Sequence, residues 1–372
     1  MEADSKKAEV LHICADFPYN KLYDLLIRAL SEENSNIVYV PSTKRDIQTQ
    51  YPVIYLGREF SKIDRLLYFR KQHIVTKDIA NRGICKDIDI IHAHTLFTSG
   101  YVAWKLSSMF NKPFIVAVRN ADVNVFFRFM RHLRPIGIKI LLAAKKVVFI
   151  SPVYKRYVIE ELVPQKYKAQ IEAKSYVIPN GINKFFLENE YERPTRNSDE
   201  KRIRLMYAGE VNTNKNIVTT LKACEILESK GYKPSLTIVG RISDKKLDYV
   251  RNNRFVEYHP QSPKEDLIKH YRQNDIFIMP SLHETFGLVY IEALSQGMPI
   301  IYSKGQGVDG YFKEGSVGYH VESTNAHNVA EAIEKMIEEY NNIFPNCHSA
   351  ASSFSWRRIA GVYEAIYKII MS

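Results

Sequence analysis

Short apolar, β-branched runs alternate with amphipathic helical stretches along this chain, and the pattern occurs twice. Such alternation is typical of doubly wound α/β units, in which helices cover both faces of a mainly parallel sheet. The chain has 372 residues, whereas a single core stops growing at about 250 to 300 residues. Two α/β units are therefore predicted. Their predicted strands are Glu9–Cys14, Ile37–Val40, Ile88–His92, Phe114–Val118, Lys146–Ser151 and Tyr176–Pro179 in the first unit, and Ile203–Tyr207, Ser235–Val239, Phe255–Tyr258, Asp275–Met279 and Pro299–Tyr302 in the second.

A polar stretch without periodicity, residues 184–201, separates the two units. We interpret it as a linker between an N-terminal Rossmann-like domain at 1–183 and a C-terminal one at 202–353. Residues 354–372 start with a Ser N-cap and carry apolar residues at helical spacing, which predicts a terminal amphipathic helix. Two similar units joined by a linker predict a cleft.

Composition narrows the class of protein. The chain has no run of about 18 apolar residues and no apolar signal core near its start, which predicts a cytoplasmic protein. The net charge of +11 predicts an acidic partner, but no nucleic-acid recognition module accompanies it, so nucleic acid is not the predicted partner. The cysteines show no paired spacing, which favours packed thiols over a zinc site or disulfides. They are Cys14, Cys85, Cys224 and Cys347.

Part of the basic charge lies in residues 126–146, where bulky apolar residues are mixed with six lysines and arginines and with His132. This mixture predicts contact with an anionic membrane surface. A buried helix with a solvated basic rim is an equal alternative.

Two glutamates mark the candidate ligand site. The predicted strand Asp275–Met279 breaks at Pro280, and a polar turn carrying Glu284 leads into a predicted helix that contains Glu292. In open α/β sheets, ligands bind at the carboxyl ends of strands, where a helix N-terminus offers free N–H groups to an anion. An acidic residue beside such amides suits a ligand with hydroxyls and a phosphate, such as a sugar nucleotide.

This segment resembles glycosyltransferase family 4, the retaining sugar-nucleotide transferases of the GT-B fold. The resemblance implies two Rossmann-like doubly wound domains facing across a cleft, with the C-terminal helix returning to the N-terminal domain. It also implies a nucleotide diphosphate sugar as donor, no other cofactor, and a glycan or lipid-linked acceptor in polysaccharide or glycolipid biosynthesis. Many relatives act at the inner face of a membrane, so peripheral binding there is expected. The matching residues are Pro280, Ser281, Glu284, Phe286, Gly287, Glu292 and Ala293.

The resemblance assigns Glu284 to the donor sugar hydroxyls and Glu292 to the ribose hydroxyls. A carboxylate can accept hydrogen bonds from both hydroxyls of a vicinal diol. The backbone amides of Phe286, Gly287 and Leu288 would face the sugar and its phosphates. The alternative is a solvated loop carboxylate and a glutamate that complements the helix dipole.

A second matching phrase follows the strand Ile203–Tyr207. The family has Gly-Arg there with a lysine six residues after the glycine, and Gly209 and Lys215 keep those places. The resemblance implies that Lys215 binds the donor diphosphate. Glu210 stands at the arginine position, so either another basic residue compensates or Lys215 and amides act alone. Lys304, in a glycine-rich loop, is a further candidate phosphate partner or a surface residue.

Weaker similarities fall in the first unit. His92 and His94 end a strand that resembles one entering the cleft, and they are taken to alternate, so that only one should face the ligand. A structural histidine is the alternative for either residue. Arg119 and Asp122 fall where the family often has Arg-Gly-x-Asp. Arg119 would lie near the donor phosphate or the acceptor, and Asp122 would orient the acceptor hydroxyl. An Arg–Asp pair that fixes the loop is the alternative.

The resemblance implies front-face transfer with retention, in which the leaving phosphate takes the acceptor proton. No protein nucleophile is then needed, and the absence of a metal-bridging Asp-x-Asp phrase predicts metal independence. A glycosidase fits less well because both glutamates lie on one loop–helix corner. The carboxylate of Glu210 at the arginine position also permits an alternative function, that of a catalytically weak GT-B relative that binds sugar nucleotides as a partner subunit. A GT-B epimerase is a third alternative.

Overall fold

The computed structural model describes residues 7–17, 20–42, 49–57, 60–61, 63–64, 67–197 and 200–372. Residues 1–6 of the predicted first domain and 198–199 of the predicted linker lie outside this part. The chain divides into two compact units. The first comprises residues up to 150, 154–180 and 356–372, and the second comprises 151–153 and 181–355.

In the first unit, the described strands form a parallel sheet of seven strands in the order β3-β2-β1-β4-β5-β6-β7. The strands are β1 Glu9–Ile13, β2 Ser35–Val40, β3 Val53–Tyr55, β4 Ile90–Ala93, β5 Phe114–Val118, β6 Lys146–Phe149 and β7 Ser175–Val177. The central strands β4 and β5 are buried at every residue, because helices cover both faces of a parallel sheet. The strand order reverses between β1 and β4, which is the topological switch point.

In the second unit, the described strands form a parallel sheet of six strands in the order β10-β9-β8-β11-β12-β13. They are β8 Arg202–Ala208, β9 Lys233–Val239, β10 Val256–His259, β11 Ile276–Met279, β12 Ile300–Ser303 and β13 Gly318–Val321. This order reverses between β8 and β11, so the carboxyl ends of these two strands define the ligand-binding position of the unit.

The α-helices of the described residues alternate with the strands. They are α1 Lys21–Leu30, α2 Tyr68–Asn81, α3 Ser99–Phe110, α4 Arg134–Ala143, α5 Pro152–Tyr157, α6 Gln165–Glu172, α7 Lys184–Glu188, α8 Ile217–Ser229, α9 Lys264–Gln273, α10 Leu288–Ser295, α11 Ala326–Glu338, α12 Tyr340–Ser352 and α13 Trp356–Met371. Short π-helical or 3₁₀ turns are Ile84–Lys86, Asp122–Phe127, Arg131–Leu133, Val158–Leu162, Thr213–Lys215 and Lys245–Asn252. None of the described helices is long and apolar enough to cross a bilayer.

The terminal helix α13 belongs to the first unit. Its apolar stripe, which includes Ile359, Tyr363 and Tyr367, is buried in a cluster with Val10 and Leu26. The predicted amphipathic helix and its return to the N-terminal domain are thus confirmed.

The described residues of the stretch interpreted as a linker, 184–197 and 200–201, belong to the second unit. Arg193 is buried, and its guanidinium donates to the backbone carbonyls of Gln296 at 2.8 Å and Asn274 at 2.6 Å. Arg196 is also buried and pairs with Asp275 at 3.1 Å. The polar composition of this stretch therefore reflects buried arginines that bind the second unit as well as exposed residues.

The basic segment 126–146 is not one helix. Phe127 and Leu133 are buried, whereas Phe129 is 71% exposed and its neighbours Val125 and Met130 are also exposed. We name the exposed residues at the start of the segment, together with the preceding Val125, the basic tip. It comprises Val125, Arg128, Phe129, Met130 and Arg131. Most apolar residues of the segment are buried or pack against the core, whereas Phe129 and Met130 face solvent beside Arg128 and Arg131. Contact of these exposed residues with a membrane stays a prediction.

Candidate functional site

The loop between β11 and α10 carries Glu284 and ends in a tightly packed turn. Gly287 precedes α10 with φ of 81°, and a Cβ there would lie 2.5 Å from the Tyr290 ring. Tyr290 itself donates from its hydroxyl to the Met279 carbonyl at 2.5 Å. A side chain at position 287 would therefore displace the ring that ties the helix to β11. The first N–H groups of α10 have no acceptor within the helix, as at any helix start.

Lys215 and Glu284 form an ion pair across the switch point of the second sheet. The Lys215 Nζ lies 2.5 Å from the Glu284 Oε2, and the two side chains are 22% and 12% exposed. Lys215 follows β8 and Glu284 follows β11, which are hydrogen-bonded neighbours. The two sequence motifs are therefore one cluster, as the topology of a doubly wound sheet requires.

Two amide side chains that the sequence analysis did not identify hold this cluster in place. Asn214 donates from Nδ2 to the His283 carbonyl at 2.9 Å and accepts from the His283 N–H at 3.0 Å. Gln306 accepts from the Glu284 N–H at 3.0 Å, and the Gly307 N–H donates to the Glu284 carbonyl at 2.8 Å. Amides in irregular loops have no periodic signal, but both lie beside motifs that the sequence does show.

Glu292 lies in α10 and is partly buried. Burial raises the pKa of its carboxyl to about 7, although the Tyr271 hydroxyl donates to it at 3.2 Å and opposes the shift. A carboxyl with a single neutral donor retains the capacity to accept further hydrogen bonds. This leaves room for a ligand diol.

Backbone atoms form the floor of a cavity of about 300 Å³ at the ends of β8 and β9. Gly209 and Gly240 meet there so closely that a Cβ on Gly240 would lie 1.8 Å from the Gly209 carbonyl oxygen. Val289 of α10 also lines the cavity, so it extends toward the helix that carries Glu292. The remaining lining residues are Ala208, Glu210, Val239, Arg241, Gln261, Ser262 and Leu267.

Other predicted residues of the second unit have different surroundings. Phe286 is buried and packs against Tyr311 and Phe354, so its ring anchors the loop while its backbone stays near Gly307. Lys304 follows β12 and pairs with Glu322 at 3.2 Å. Leu288 is the first residue of α10.

The expectation that His92 and His94 alternate was wrong. Their rings stack at 4.2 Å, because residues i and i+2 of an extended chain point to the same face. Both are buried together with His12 of β1, which pairs in register with His92 of β4 and was not identified from sequence. Burial lowers the pKa of His12 to about 4 and holds the pKa of the other two well below its usual range, so all three are neutral.

Hydrogen bonds orient the three rings. The His12 Nδ1 lies 3.0 Å from the His94 Nε2, and the His12 Nε2 lies 2.9 Å from the Asn36 Oδ1. The His92 Nδ1 lies 2.7 Å from the Tyr367 hydroxyl. Among the described residues, these histidines form the one group whose number and spacing of ligand atoms could suit a metal. However, the His92 and His94 rings are stacked with 20° between their planes, and both ring nitrogens of His12 already have hydrogen-bond partners, so we assign no metal to them.

Asp122 and Arg119 lie at the end of β5 in the first unit. The Asp122 carboxylate accepts from the backbone N–H groups of Leu96 at 2.9 Å, Phe97 at 3.0 Å and Arg119 at 2.9 Å. Burial raises the pKa of Asp122 to about 6 against the opposing effect of these donors. Arg119 is also buried and donates to Asn180 at 3.3 Å. Asp122 therefore fixes two loops through their backbones.

Solved structures share this fold over nearly the whole chain. The chain matches sucrose-phosphate synthase from Thermosynechococcus elongatus with a TM-score of 0.71 at 18% identity, over 98% of this chain and 99% of that one. It matches Anabaena HepE in complex with UDP and glucose with a TM-score of 0.66 at 15% identity, over 98% and 99%. These likenesses and the two parallel α/β sheets confirm the predicted GT-B fold.

The sequence identifies the family within this class. Residues 188–349 match Glycosyl transferases group 1, and residues 22–184 match Glycosyltransferase Family 4. The chain belongs to glycosyltransferase family 4, which confirms the resemblance. A curated relative is the capsular polysaccharide biosynthesis glycosyltransferase CapM of Staphylococcus aureus, 27% identical over 256 residues. That match spans 61% of this chain and 63% of CapM.

Proposed function

We propose that this chain is a retaining glycosyltransferase that moves a sugar from a nucleotide diphosphate sugar to a glycan or lipid-linked acceptor. The Lys215–Glu284 pair at the switch point carries the proposal, because it places a cation and a hydroxyl acceptor beside the N-terminus of α10. A donor presents a diphosphate and sugar hydroxyls to such a site. The complex of HepE with UDP and glucose supports a nucleotide-sugar donor, and the name of CapM supports a role in cell-surface polysaccharide biosynthesis.

The donor diphosphate would contact Lys215 and the amides that lead into α10. Donor binding would then exchange part of the Lys215–Glu284 contact for a lysine–phosphate contact, which frees Glu284 for the sugar hydroxyls. In the transfer step, the bond between the anomeric carbon and the phosphate oxygen breaks, and a bond to the acceptor oxygen forms on the same face. The acceptor proton moves to the leaving phosphate. The protein contributes positioning and stabilisation of the developing charge, so neither a protein nucleophile nor a metal has a role in this scheme.

Glu292 would hold the ribose in the cavity floored by Gly209 and Gly240. The cavity lies at the ends of β8 and β9, and Val289 connects its wall to the helix of Glu292. An ionised carboxylate accepts from both hydroxyls of a diol, so donor binding would favour the ionised form of Glu292.

The first unit would contribute the acceptor side. Arg119 is a buried cation. Its charge would repel a protonated His92 or His94 and so adds to the effect of burial, the main cause of their lowered pKa. We assign Arg119 to an acceptor or phosphate contact. Asp122 becomes a positioning residue rather than a direct partner of the acceptor hydroxyl, because three backbone donors already occupy its carboxylate.

The basic tip would bind an anionic membrane surface peripherally. Phe129 is 71% exposed, and the guanidinium of Arg128 lies 5.2 Å from its ring centre. Exposed aromatic and apolar side chains beside arginines match the acyl boundary and the anionic headgroups of a bilayer. Such binding at a cytoplasmic membrane face would bring the enzyme to lipid-linked acceptors.

A donor screen tests the proposed function. Purified protein is incubated with UDP-, GDP- and ADP-sugars, and both thermal stabilisation and release of free nucleoside diphosphate are measured. Stabilisation with slow release is expected for one base, together with retained anomeric configuration once an acceptor is supplied. Stabilisation without turnover, even with acceptor lipids, would instead favour the sugar-nucleotide-binding partner subunit that Glu210 keeps open. No stabilisation by any nucleotide would refute both.

A further inference from the structure

The cavity at the ends of β8 and β9 is lined by an arginine that the sequence motifs did not identify. Arg241 follows β9, and its guanidinium lies 3.2 Å from the carboxylate of Glu210, which follows β8. Glu210 is the residue that stands where the family has arginine. The cation that this position lacks is therefore present one strand away.

Backbone pairing between β8 and β9 holds Glu210 and Arg241 next to each other. Strands β8 and β9 pair in parallel register up to Ala208 and Val239. Beyond them, the Gly209 N–H donates to the Val239 carbonyl and the Val211 N–H donates to the Arg241 carbonyl, both at 2.9 Å. The close contact of Gly209 with Gly240 leaves no freedom between the two loops. Residues 210 and 241 are thus held side by side.

The Arg241 side chain contributes little to the stability of the unliganded protein. It is 73% exposed and its partner carboxylate is 45% exposed, and ion pairs this exposed stabilise proteins by only about 0 to 1 kcal/mol. A guanidinium has five N–H donors in a planar fork that suits phosphate. One contact with Glu210 leaves donors for a second anion.

The Glu210 carboxylate is held ionised beside it. Hydrogen bonds from Ser243 and Arg241 lower the pKa of Glu210. An ionised carboxylate would repel a diphosphate if it stood alone, but here it pairs with the guanidinium that lines the same cavity. Its role is then to orient Arg241.

We propose that Arg241, oriented by Glu210, binds the donor diphosphate from the end of β9 and replaces the arginine that the family places at the end of β8. This inference rests on the proposed function. It extends it by naming the residue that compensates for Glu210 and by giving the diphosphate two cations, Lys215 and Arg241.

Binding measurements on the full chain test the proposal. The probe is whichever of UDP, GDP and ADP the wild type binds most tightly, compared with its nucleoside by calorimetry. Arg241→Gln is expected to weaken binding of the diphosphate about tenfold or more, the usual effect of losing a charged hydrogen bond, with nucleoside binding unchanged. Arg241→Lys should recover part of the loss. Equal loss for nucleoside and diphosphate would indicate a merely structural residue and overturn the proposal.

A matched pair in the same unit provides the control. Arg254 and Glu228 lie 2.7 Å apart and are 65% and 46% exposed, so Arg254→Gln removes a comparable ion pair away from the cavity. It should leave diphosphate affinity unchanged.

A charge reversal gives an independent test. Arg241→Glu places two carboxylates together and should reduce diphosphate binding more than Arg241→Gln does. Adding Glu210→Arg restores one cation and one anion, with the arginine at the family position, and should recover most of the affinity. If the double variant binds the diphosphate no better than Arg241→Glu does, the proposal that Arg241 replaces the family arginine is refuted. A wild type that binds none of the three diphosphates would refute the proposed function itself, whereas unchanged binding by Arg241→Gln would refute only the role of Arg241.

Discussion

Replacing Lys215 with alanine should reduce transfer far more than the loss of one surface lysine would. The variant loses a charge-assisted contact to the diphosphate, worth about 1.5 to 3 kcal/mol. It also leaves Glu284, whose side chain is only 12% exposed, as an unpaired carboxylate beside the phosphates. Two like charges about 4 Å apart repel by about 4 kcal/mol at an effective dielectric constant near 20. Solvent and movement of Glu284 will relieve much of this repulsion.

The expected total is about 3 to 5 kcal/mol, which corresponds to a loss of about 10²- to 10⁴-fold in kcat/KM. The assay is release of nucleoside diphosphate with the best donor and acceptor, with kcat and KM determined separately. Because part of the loss in Lys215→Ala is repulsion by Glu284, the double variant Lys215→Ala/Glu284→Ala should lose less activity than the sum of the two single losses. Additive losses would show that the two residues act independently.

Lys230→Ala is the control for this experiment. Lys230 pairs with Glu334 at 2.6 Å in the same unit, far in sequence from the site motifs, and its loss should leave kcat/KM unchanged. The reasoning is refuted if Lys215→Ala stays within tenfold of the wild type while it folds normally.

Three further predictions concern Glu292, Asp122 and the basic tip. Burial raises the pKa of Glu292 from 4.5 to about 7, so between these pH values the folded chain keeps a proton that the unfolded chain releases. The free energy of unfolding of the wild type, relative to that of Glu292→Gln, should therefore fall as the pH rises from about 4.5 to 7. The expected decrease is up to about 3 kcal/mol. Donor affinity should increase over the same rise in the wild type, and flat profiles in urea unfolding and calorimetry would contradict both statements. Asp122→Asn places an amide N–H₂ group against backbone N–H donors. It should therefore lower the free energy of unfolding by about 2 to 3 kcal/mol. If the free energy of unfolding is unchanged but sugar transfer is lost, Asp122 acts on the acceptor directly. Phe129→Glu should reduce sedimentation with anionic vesicles at low salt without changing donor affinity. Tyr249→Ser, which alters another exposed aromatic residue, should leave sedimentation unchanged. Equal sedimentation of the wild type and both variants would refute a role of the basic tip.

The sequence predicted the central strands and the edge strands β7 and β10, but not the other two edge strands. The central strands β4, β5, β11 and β12 are buried at every residue, so continuous apolar runs identify them. The described edge strands β3 and β13 were missed. The first has three partly buried residues, and the second begins at Gly318. Such short segments contain too few residues for a periodic signal, and their pairing depends on the neighbouring strand.

The site was predictable by residue type but not by contact. Lys215 and Glu284 were each identified from a local motif, yet their contact spans 69 residues of sequence and depends on the order of β8 and β11. The contact of Arg241 with Glu210 depends in the same way on β8 and β9. The error at His92 and His94 was geometrical, because the period of a strand is two residues, and i and i+2 share a face.

The charges of the donor site indicate which ligand the net charge of +11 attracts over long range. Lys215 is paired with Glu284, and Arg241 is paired with Glu210, so these four residues carry no net charge. An unliganded site of this kind would attract a diphosphate weakly over distance, and binding would depend on exchanging each cation's carboxylate for phosphate at contact. In contrast, Arg128 and Arg131 of the basic tip are exposed without an acidic residue between them in sequence. Long-range attraction, which salt screens, should therefore act mainly on the anionic partner of the tip. Raising the ionic strength should weaken vesicle binding strongly and donor binding only moderately.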